Sequence, residues 1–501
     1  MSIKRNVIAN YVGAGWTALM ALAFVPLYIR YLGIEAYGLL GVYAILQAWL
    51  SLLDMGMAPS LSREMADLGA DAAKAQRARD LLRSAEILAA GMALVVALVI
   101  WLASDWLAVE WLSNKGVSAT VLAQAFAIMG LVIGLRIIEN IYRSCVVGLQ
   151  RQVLLNIVVT IMATLRGLGA VVVLVFVSPT IQAYFFWQCV VSVVTIVVLA
   201  SVVYRTVPSA NRRARFSPAA LQEVWRYAAG TIAITFLSLL LTQADKILLS
   251  RMLTLEAFGY YAFAVVVAQL PIAMVGPVTQ AFFPRFIQLF KQDNHAGLVA
   301  AYHAASQLTT VLLGSATILL ALFGHEILKF WTGNVELSDR TYVLVAVISL
   351  GSLLNGLMTV PYFLQLSSGW TGLTIRINLV AIALVIPALL WIVPRYGAIG
   401  AAWVWVCLNI CYLLVMIPLM HRRLLIEEKW NWYFHDVAFP LAVATASGLL
   451  LRTLLPDALG FRFEIVRLGV CFVLVPLTAI LAAPIVRVQF LSHLPKNRLK
   501  L

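Results

Sequence analysis

Charge is what this sequence has least of. Only 12% of its residues are charged, against about 25% in soluble globular domains. The shortage falls mainly on acids, with 22 Asp and Glu against 36 Lys and Arg. The signatures of soluble catalysis are missing as well. There is no G-x-x-x-x-G-K-[ST] phosphate loop, no H-E-x-x-H helix and no Cys/His spacing suited to zinc. This argues against an ATP-splitting pump, unless another subunit supplies the nucleotide site. No catalytic residue, metal ligand or cofactor is expected. The five cysteines (Cys145, Cys189, Cys407, Cys411 and Cys471) lie within or at the ends of apolar runs, where a buried thiol behaves as a small hydrophobe. Cys407 and Cys411 share a helix face, but no nearby His or carboxylate completes a ligand set. The six His residues fall in loops or near the ends of apolar runs and are expected to be interfacial or solvated.

What the chain has in excess is apolar residues, 62% of the total. A bilayer core needs about 20 consecutive apolar residues per helix, and such runs recur from end to end. They place about fourteen spans, at 7–29, 37–58, 84–104, 119–142, 153–177, 181–204, 224–250, 257–282, 304–328, 342–366, 372–393, 398–420, 435–455 and 465–486. The runs are continuous rather than alternating, which predicts an all-α polytopic membrane protein and excludes a β-barrel. Residues 1–30 imitate a signal peptide, with Lys4 and Arg5 ahead of an apolar run and Ala21-Leu22-Ala23 as a mock cleavage site. The run continues through Pro26 and Tyr28, so this segment reads as the first span. Lys and Arg are about three times commoner on one side of this topology, which predicts that both termini are cytoplasmic. The net charge of +14 is then a topology signal and not a nucleic-acid footprint.

The chain also repeats itself. Arg30-Tyr-Leu-Gly-Ile-Glu35-Ala36-Tyr37-Gly38 reappears as Arg251-Met-Leu-Thr-Leu-Glu256-Ala257-Phe258-Gly259, with Arg, Leu, Glu, Ala and Gly at equal offsets. In both copies the motif ends one span, turns on the outer side and begins the next. This spacing predicts two six-helix bundles, residues 1–204 and 224–420, related by a pseudo-twofold axis along the membrane normal. Paired repeats of this kind enclose a central site and expose it to each side in turn. The basic stretch 205–223, with Pro208 and Pro218, reads as a cytoplasmic linker, and residues 421–501 add two helices and a basic tail.

The remaining candidates for chemistry are polar groups inside the apolar spans, where a charge costs about 2.5–3.5 kcal/mol on insertion scales and so faces a cavity or a partner. Thr231, Thr235, Ser238, Thr242, Asp245 and Lys246 recur at helical spacing and form one stripe, read as cavity lining with a helix–helix seam as the alternative. Arg136, Glu139, Asn140 and Arg143 share a face of the fourth span. There an Arg136–Glu139 ion pair is as good a reading as a ligand site. Arg166 lies deeper and has no partner nearby in sequence, while Arg376 sits close enough to the cytoplasmic end to snorkel. Asp54 and Glu86 read as structural. The cations Arg136, Arg166, Lys246 and Arg376 outnumber Glu139 and Asp245, so a cavity they line favours an anion, and the Arg fork suits phosphate.

These residues carry a family resemblance. Asn10…Gly15…Pro26-Leu27-Tyr28…Arg30-Tyr31-Leu32-Gly33…Tyr37-Gly38, then Asp54-Met55-Gly56, and later Asp245-Lys246-Ile247-Leu248-Leu249…Gly259-Tyr260-Tyr261 resemble the polysaccharide transporter family. That family belongs to the multidrug/oligosaccharidyl-lipid/polysaccharide exporter superfamily and includes the Wzx-type O-antigen flippases. The resemblance implies an inner-membrane flippase for undecaprenyl-diphosphate-linked oligosaccharide. It implies membrane lipids and other polysaccharide-assembly membrane proteins as partners, and no nucleic acid. Arg136, Arg166, Lys246, Arg376, Thr235, Ser238 and Thr242 are then the substrate-binding candidates and Asp245 the coupling candidate. Two alternatives remain: another cargo (lipid II, a teichoic-type lipid or a drug), and a membrane polymerase or ligase. The second needs room for catalytic groups outside, yet outer segments such as 329–341 and 452–464 are only about a dozen residues each.

Overall fold

The computed structural model describes residues 3–50, 52, 57–67, 72–112, 116–208, 212, 214–370, 372–455 and 461–493. Side chains are described at all of these except 3–9, 59, 72–74, 219–235, 461–462 and 493. The regular structure among them is helical, and eleven helices are long and apolar enough to cross a membrane. Asp54-Met55-Gly56 and the side chains of Thr231 and Thr235 lie outside the described residues. The chain forms two compact units, Met1–Gly259 and Tyr260–Leu501.

The first unit holds α1 (Ile3–Ala23), α2 (Val25–Leu32), α3 (Ile34–Leu50), α4 (Met57–Ala66), α5 (Ala72–Trp106), α6 (Ala119–Gly148), α7 (Gln152–Phe176), α8 (Ile181–Thr206), α9 (Pro218–Met252) and the first turn of α10 (Leu255–Ala268). Sequence chemistry sets the boundaries. The Ser118 and Thr180 hydroxyls accept from the Val121 and Ala183 amides and so cap α6 and α8. The expected 7–29 span breaks at Phe24, two residues before Pro26, because proline has no N–H and clashes with the preceding turn. The linker is strapped to α5. Arg215 N–H donates to Asp80 Oδ1 at 2.8 Å, Ser217 N–H to Ser84 Oγ at 2.8 Å, and Arg212 reaches Asp80 Oδ2 at 2.7 Å.

The two copies of the nine-residue motif meet within this unit. A Cβ on Gly38 would lie 2.8 Å from the Leu255 carbonyl oxygen, and one on Gly259 2.2 Å from that of Ile34. Ile34 corresponds to Leu255 and Gly38 to Gly259, both 221 residues apart, so the close approach is reciprocal. Only a residue without a side chain lets the backbones come this near.

The second unit continues with α11 (Leu270–Ala273), α12 (Val275–Lys291), α13 (His295–Thr332), α14 (Val335–Leu357), α15 (Thr359–Ser367), α16 (Gly372–Leu424), α17 (Glu428–Asn431), α18 (Phe439–Leu454), α19 (Phe461–Ala482) and α20 (Pro484–His493). A π-helical segment, Trp432–Ala438, joins α17 to α18. The 257–282 span, expected as one helix, is divided among α10, α11 and α12 with breaks at Gln269 and Met274 around Pro271. Two expected spans, 372–393 and 398–420, fuse into the 53-residue α16. They are separated only by Gly397, at φ 57°, ψ −145°, a conformation open to glycine. The terminal pair docks on α13: Val311, Ile318, Leu319 and Phe323 pack against Ala444 of α18 and Cys471, Val475 and Ala479 of α19.

Two expectations about small polar residues are corrected. Cys407 and Cys411 are exposed on α16 rather than buried, because that face of the helix is free of protein neighbours and lies among residues suited to lipid, such as Leu414 at 66% exposure. His421 is not solvated but 2% exposed, held by the Tyr302 hydroxyl at 3.3 Å and the Ile417 carbonyl.

A polar site in the first unit

α6 puts Arg136, Glu139, Asn140 and Arg143 on one face, at the i, i+3, i+4, i+7 positions that neighbour each other on a helix. α3 faces them with Gln47. Together with Leu50, Ile133 and Ile137 these residues line a cavity of about 210 Å³. Such a volume lies below the about 300–1,000 Å³ of sites for drug-sized ligands, so it suits a compact polar head group and not a whole oligosaccharide. A larger cavity, about 520 Å³ on the flank of α7, is lined mainly by apolar groups such as Leu165, Leu168, Val172 and Trp187, with Thr160 and Thr164 as hydroxyls and no charged side chain.

Glu139 organises the cations around this cavity. Its Oε2 accepts from Arg166 Nη2 at 2.8 Å, while its Oε1 lies 3.6 Å from Arg136 Nη1. The first is a charge-assisted hydrogen bond and the second only an ion pair. Arg166 is held further by the Ser192 and Thr195 hydroxyls of α8, at 3.2 and 3.4 Å. The partner that sequence neighbours did not supply thus comes from α6, one helix away. Arg136 is the looser arm. It borders the cavity, and its buried Nε finds no acceptor among the described residues. The buried Tyr43 hydroxyl, one turn before Gln47 on α3, is likewise without a partner there.

The structure therefore brings together Arg136, Glu139 and Arg166, with Arg136 at the cavity and Arg166 behind Glu139. Lys246 and Asp245 pair with each other on α9 at 3.3 Å, and Lys246 also donates to the Thr242 carbonyl at 2.6 Å. Thr242 is exposed and its hydroxyl bonds back to the Ser238 carbonyl. Arg376 belongs to the second unit and is exposed on α16. Thr235 lies in the stretch whose side chains are not described. Gln47, Ser192 and Thr195 escaped the sequence reading. Gln47 had a visible signal as the lone amide in Ile45-Leu46-Gln47-Ala48-Trp49, whereas single hydroxyls in apolar spans are too common to stand out.

Comparison with known proteins places this chain in a family. A family model described as "Polysaccharide biosynthesis protein" matches residues 3–290, more than half of the chain and all of the site. The chain belongs to the polysaccharide biosynthesis protein family. Over 417 residues, 81% of this chain and 94% of the relative, it is 22% identical to a Shigella flexneri protein assigned the role of O-antigen transporter. Its fold matches that of the lipid II flippase MurJ in an inward closed conformation, with a TM-score of 0.68, 12% identity and 98% and 99% of the two chains covered. It also matches an inward-facing multidrug resistance transporter of the MATE family in the MOP superfamily, at TM-score 0.62, 11% identity and 84% and 96% coverage. This member of the polysaccharide biosynthesis protein family is thus a multi-pass membrane protein with a MurJ- and MATE-like helical fold, and its relatives are transporters and flippases.

Proposed function

We propose that this protein flips a diphosphate-linked lipid oligosaccharide, carried on undecaprenyl, from the cytoplasmic to the periplasmic leaflet of the inner membrane by alternating access. The observation that carries this reading is the Arg136 cavity. Arg136, Arg143 and Arg166 against Glu139 leave a formal charge of +2 among these four groups, and Arg136 and Arg143 border the cavity itself. A diphosphate diester carries one negative charge per phosphate, so the two charges match. Arg136 and Arg143 contact the phosphates in this reading, Asn140 and Gln47 donate to phosphate or sugar oxygens, and the polyprenyl chain stays in lipid.

The proposal includes fourteen spans, counting α3, α9 and the two halves of α16, with both termini in the cytoplasm by the Lys/Arg bias. The six-plus-six bundles and the linker at 205–223 remain part of it. Lys246, Arg376, Thr235, Ser238 and Thr242 are further substrate contacts and Asp245 the coupling carboxylate, each open to the same assay. A strain lacking its own copy is complemented with Arg136→Ala, Arg136→Lys and the Arg136/Arg143 double alanine variant, with membrane levels checked in each. Arg136→Ala should abolish surface polysaccharide and leave the lipid-linked oligosaccharide on the inner leaflet, and Arg136→Lys should retain part of the output. Normal surface polysaccharide in the double variant removes the proposed site. Accumulation of peptidoglycan precursor instead would reassign the cargo.

A further inference from the structure

A second cluster of ionisable groups lies in the other unit and has no part in the transport reading. His303, near the start of α13, points both ring nitrogens at carboxylates. Nε2 lies 3.0 Å from Glu428 Oε2 on α17, and Nδ1 lies 2.5 Å from Asp436 Oδ2 on the π-helical segment. The His303 and Asp436 side chains are 12% and 1% exposed. A hydrogen-bond chain fixes the orientation of the Gln307 amide beside Asp436. The backbone N–H of Ile485 on α20 donates to Gln307 Oε1 at 2.9 Å, so Gln307 Nε2 is the atom that donates to Asp436 Oδ1 at 2.9 Å. Asp436 is left with Oδ2 alone to face the imidazole.

Proton counting then decides the state of the pair. Hydrogen bonds from Asn431 and His303, against the effect of burial, hold the Glu428 carboxyl below the ordinary carboxylate range. It is therefore an acceptor at neutral pH, and Nε2 must carry a hydrogen. A neutral imidazole would then present a bare Nδ1 lone pair to a bare carboxylate oxygen at hydrogen-bond distance, which is repulsive. A second proton must lie between Nδ1 and Oδ2, whichever atom holds it. The other titratable groups facing the cluster are Tyr302 on α13, His421 on α16, Lys429 on α17, and Tyr433 and His435 on the π-helical segment.

We propose that His303 and Asp436 form a proton-binding site that locks α17, the π-helical segment and α20 onto α13, and that loss of the proton releases them. The lock holds three segments at once, through Glu428, Asp436 and, by way of Gln307, Ile485. Trp432 Nε1 donating to Ser306 at 3.1 Å closes it from the side. The site binds its proton more tightly in the folded protein than a free histidine, whose ordinary value is about 6.5. Its contribution to stability is accordingly complete below about pH 6.5 and is lost as pH rises through the value in the folded protein.

The test is the melting temperature of the full-length protein in detergent, measured from about pH 5 to about pH 9, across the range where histidine titrates. The wild type should lose stability above about pH 6.5. His303→Gln, which keeps a hydrogen-bond donor but cannot take up a proton, should melt lower at pH 6 and lack that fall. Glu428→Gln removes one of the two carboxylates that favour the cation, so the fall should move to lower pH by about one unit. If His303→Gln does not fold, Glu428→Gln alone decides. The proposal is overturned if either variant reproduces the shape and midpoint of the wild-type profile. Because the readout is stability and not transport, its outcome is separate from that of the Arg136 experiment.

Discussion

Arg166 and Arg136 flank the same carboxylate, yet the structure gives them opposite jobs, and the two alanine variants should separate accordingly. Arg166→Ala removes a 12% exposed guanidinium together with its bonds to Glu139, Ser192 and Thr195. Breaking a buried pair by deleting one partner costs about 3–5 kcal/mol, because the other charge is left uncompensated. Glu139 keeps Arg136 at 3.6 Å, which offsets part of this, while the loss of two hydroxyl partners adds about 1 kcal/mol each at most. A net cost of about 3 kcal/mol follows. For a unit of this size, about 2 °C of melting temperature goes with each kcal/mol, so the melt should drop by about 6 °C. Arg136→Ala leaves the 2.8 Å bond between Arg166 and Glu139 in place, and should shift the melt by no more than about 2 °C while transport is lost. Adding Glu139→Gln to Arg166→Ala should restore part of the melt, since no orphan carboxylate remains. Fluorescence-detected size-exclusion melts of tagged protein read all of these. Equal losses for the two arginine variants, or a double variant worse than Arg166→Ala alone, would refute this division of roles.

Three further outcomes are expected. Gly259→Ala places a methyl 2.2 Å from the Ile34 carbonyl oxygen and should cost about 1–3 kcal/mol by overpacking, whereas Gly276→Ala, where a Cβ meets nothing within 4 Å, should be neutral in the same melt. Arg467 is 2% exposed and bonds Glu326 at 2.8 Å and the Leu455 carbonyl at 3.1 Å. Arg467→Ala should destabilise by about 3 kcal/mol or more, and Arg467→Met, which removes the charge but keeps apolar bulk, should not rescue it while Glu326 remains. Cys407→Leu and Cys411→Leu, at exposed positions on a lipid-suited face, should leave the melt unchanged, whereas Cys145→Leu and Cys471→Leu, at fully buried positions, should each cost about 1–3 kcal/mol by overpacking. Equal losses for all four would put α16 in the wrong orientation.

The sequence announced the helices because its apolar runs have the length that lipid demands, and it announced Arg136 and Glu139 because ionised groups are costly there. Its errors have physical causes. Pro26 and Pro271 broke spans that hydropathy reads as continuous, since hydropathy is blind to a missing N–H. Arg166 looked unpaired because its partner Glu139 is 27 residues away in the chain and only packing brings the two together. His303 and His421 were read as solvated or interfacial for lying near span ends, and Asp436 drew no notice, although a helix of 38 residues such as α13 has room outside the bilayer for a buried protein core. The Asp245–Lys246 pair was legible as a pair, but not its bond to the Thr242 carbonyl, which ties it to its own helix.

The strap along α5 fixes something beyond its own stability, namely the permitted length of the connection into α9. Arg215 and Ser217 are two residues apart in a stretch without regular secondary structure, a spacing that spans about 6–7 Å when the chain is extended. Asp80 and Ser84 are four residues apart on a helix, which advances about 6 Å. The two spacings agree, and they agree only in this register. Inserting one residue between Ser217 and Pro218 would leave both bonds intact and let the start of α9 shift along α5, whereas removing Phe216, the one residue between Arg215 and Ser217, would force a choice of which bond to keep. The connection therefore behaves as a ruler, and unlike an ordinary surface loop it should not drift freely in length.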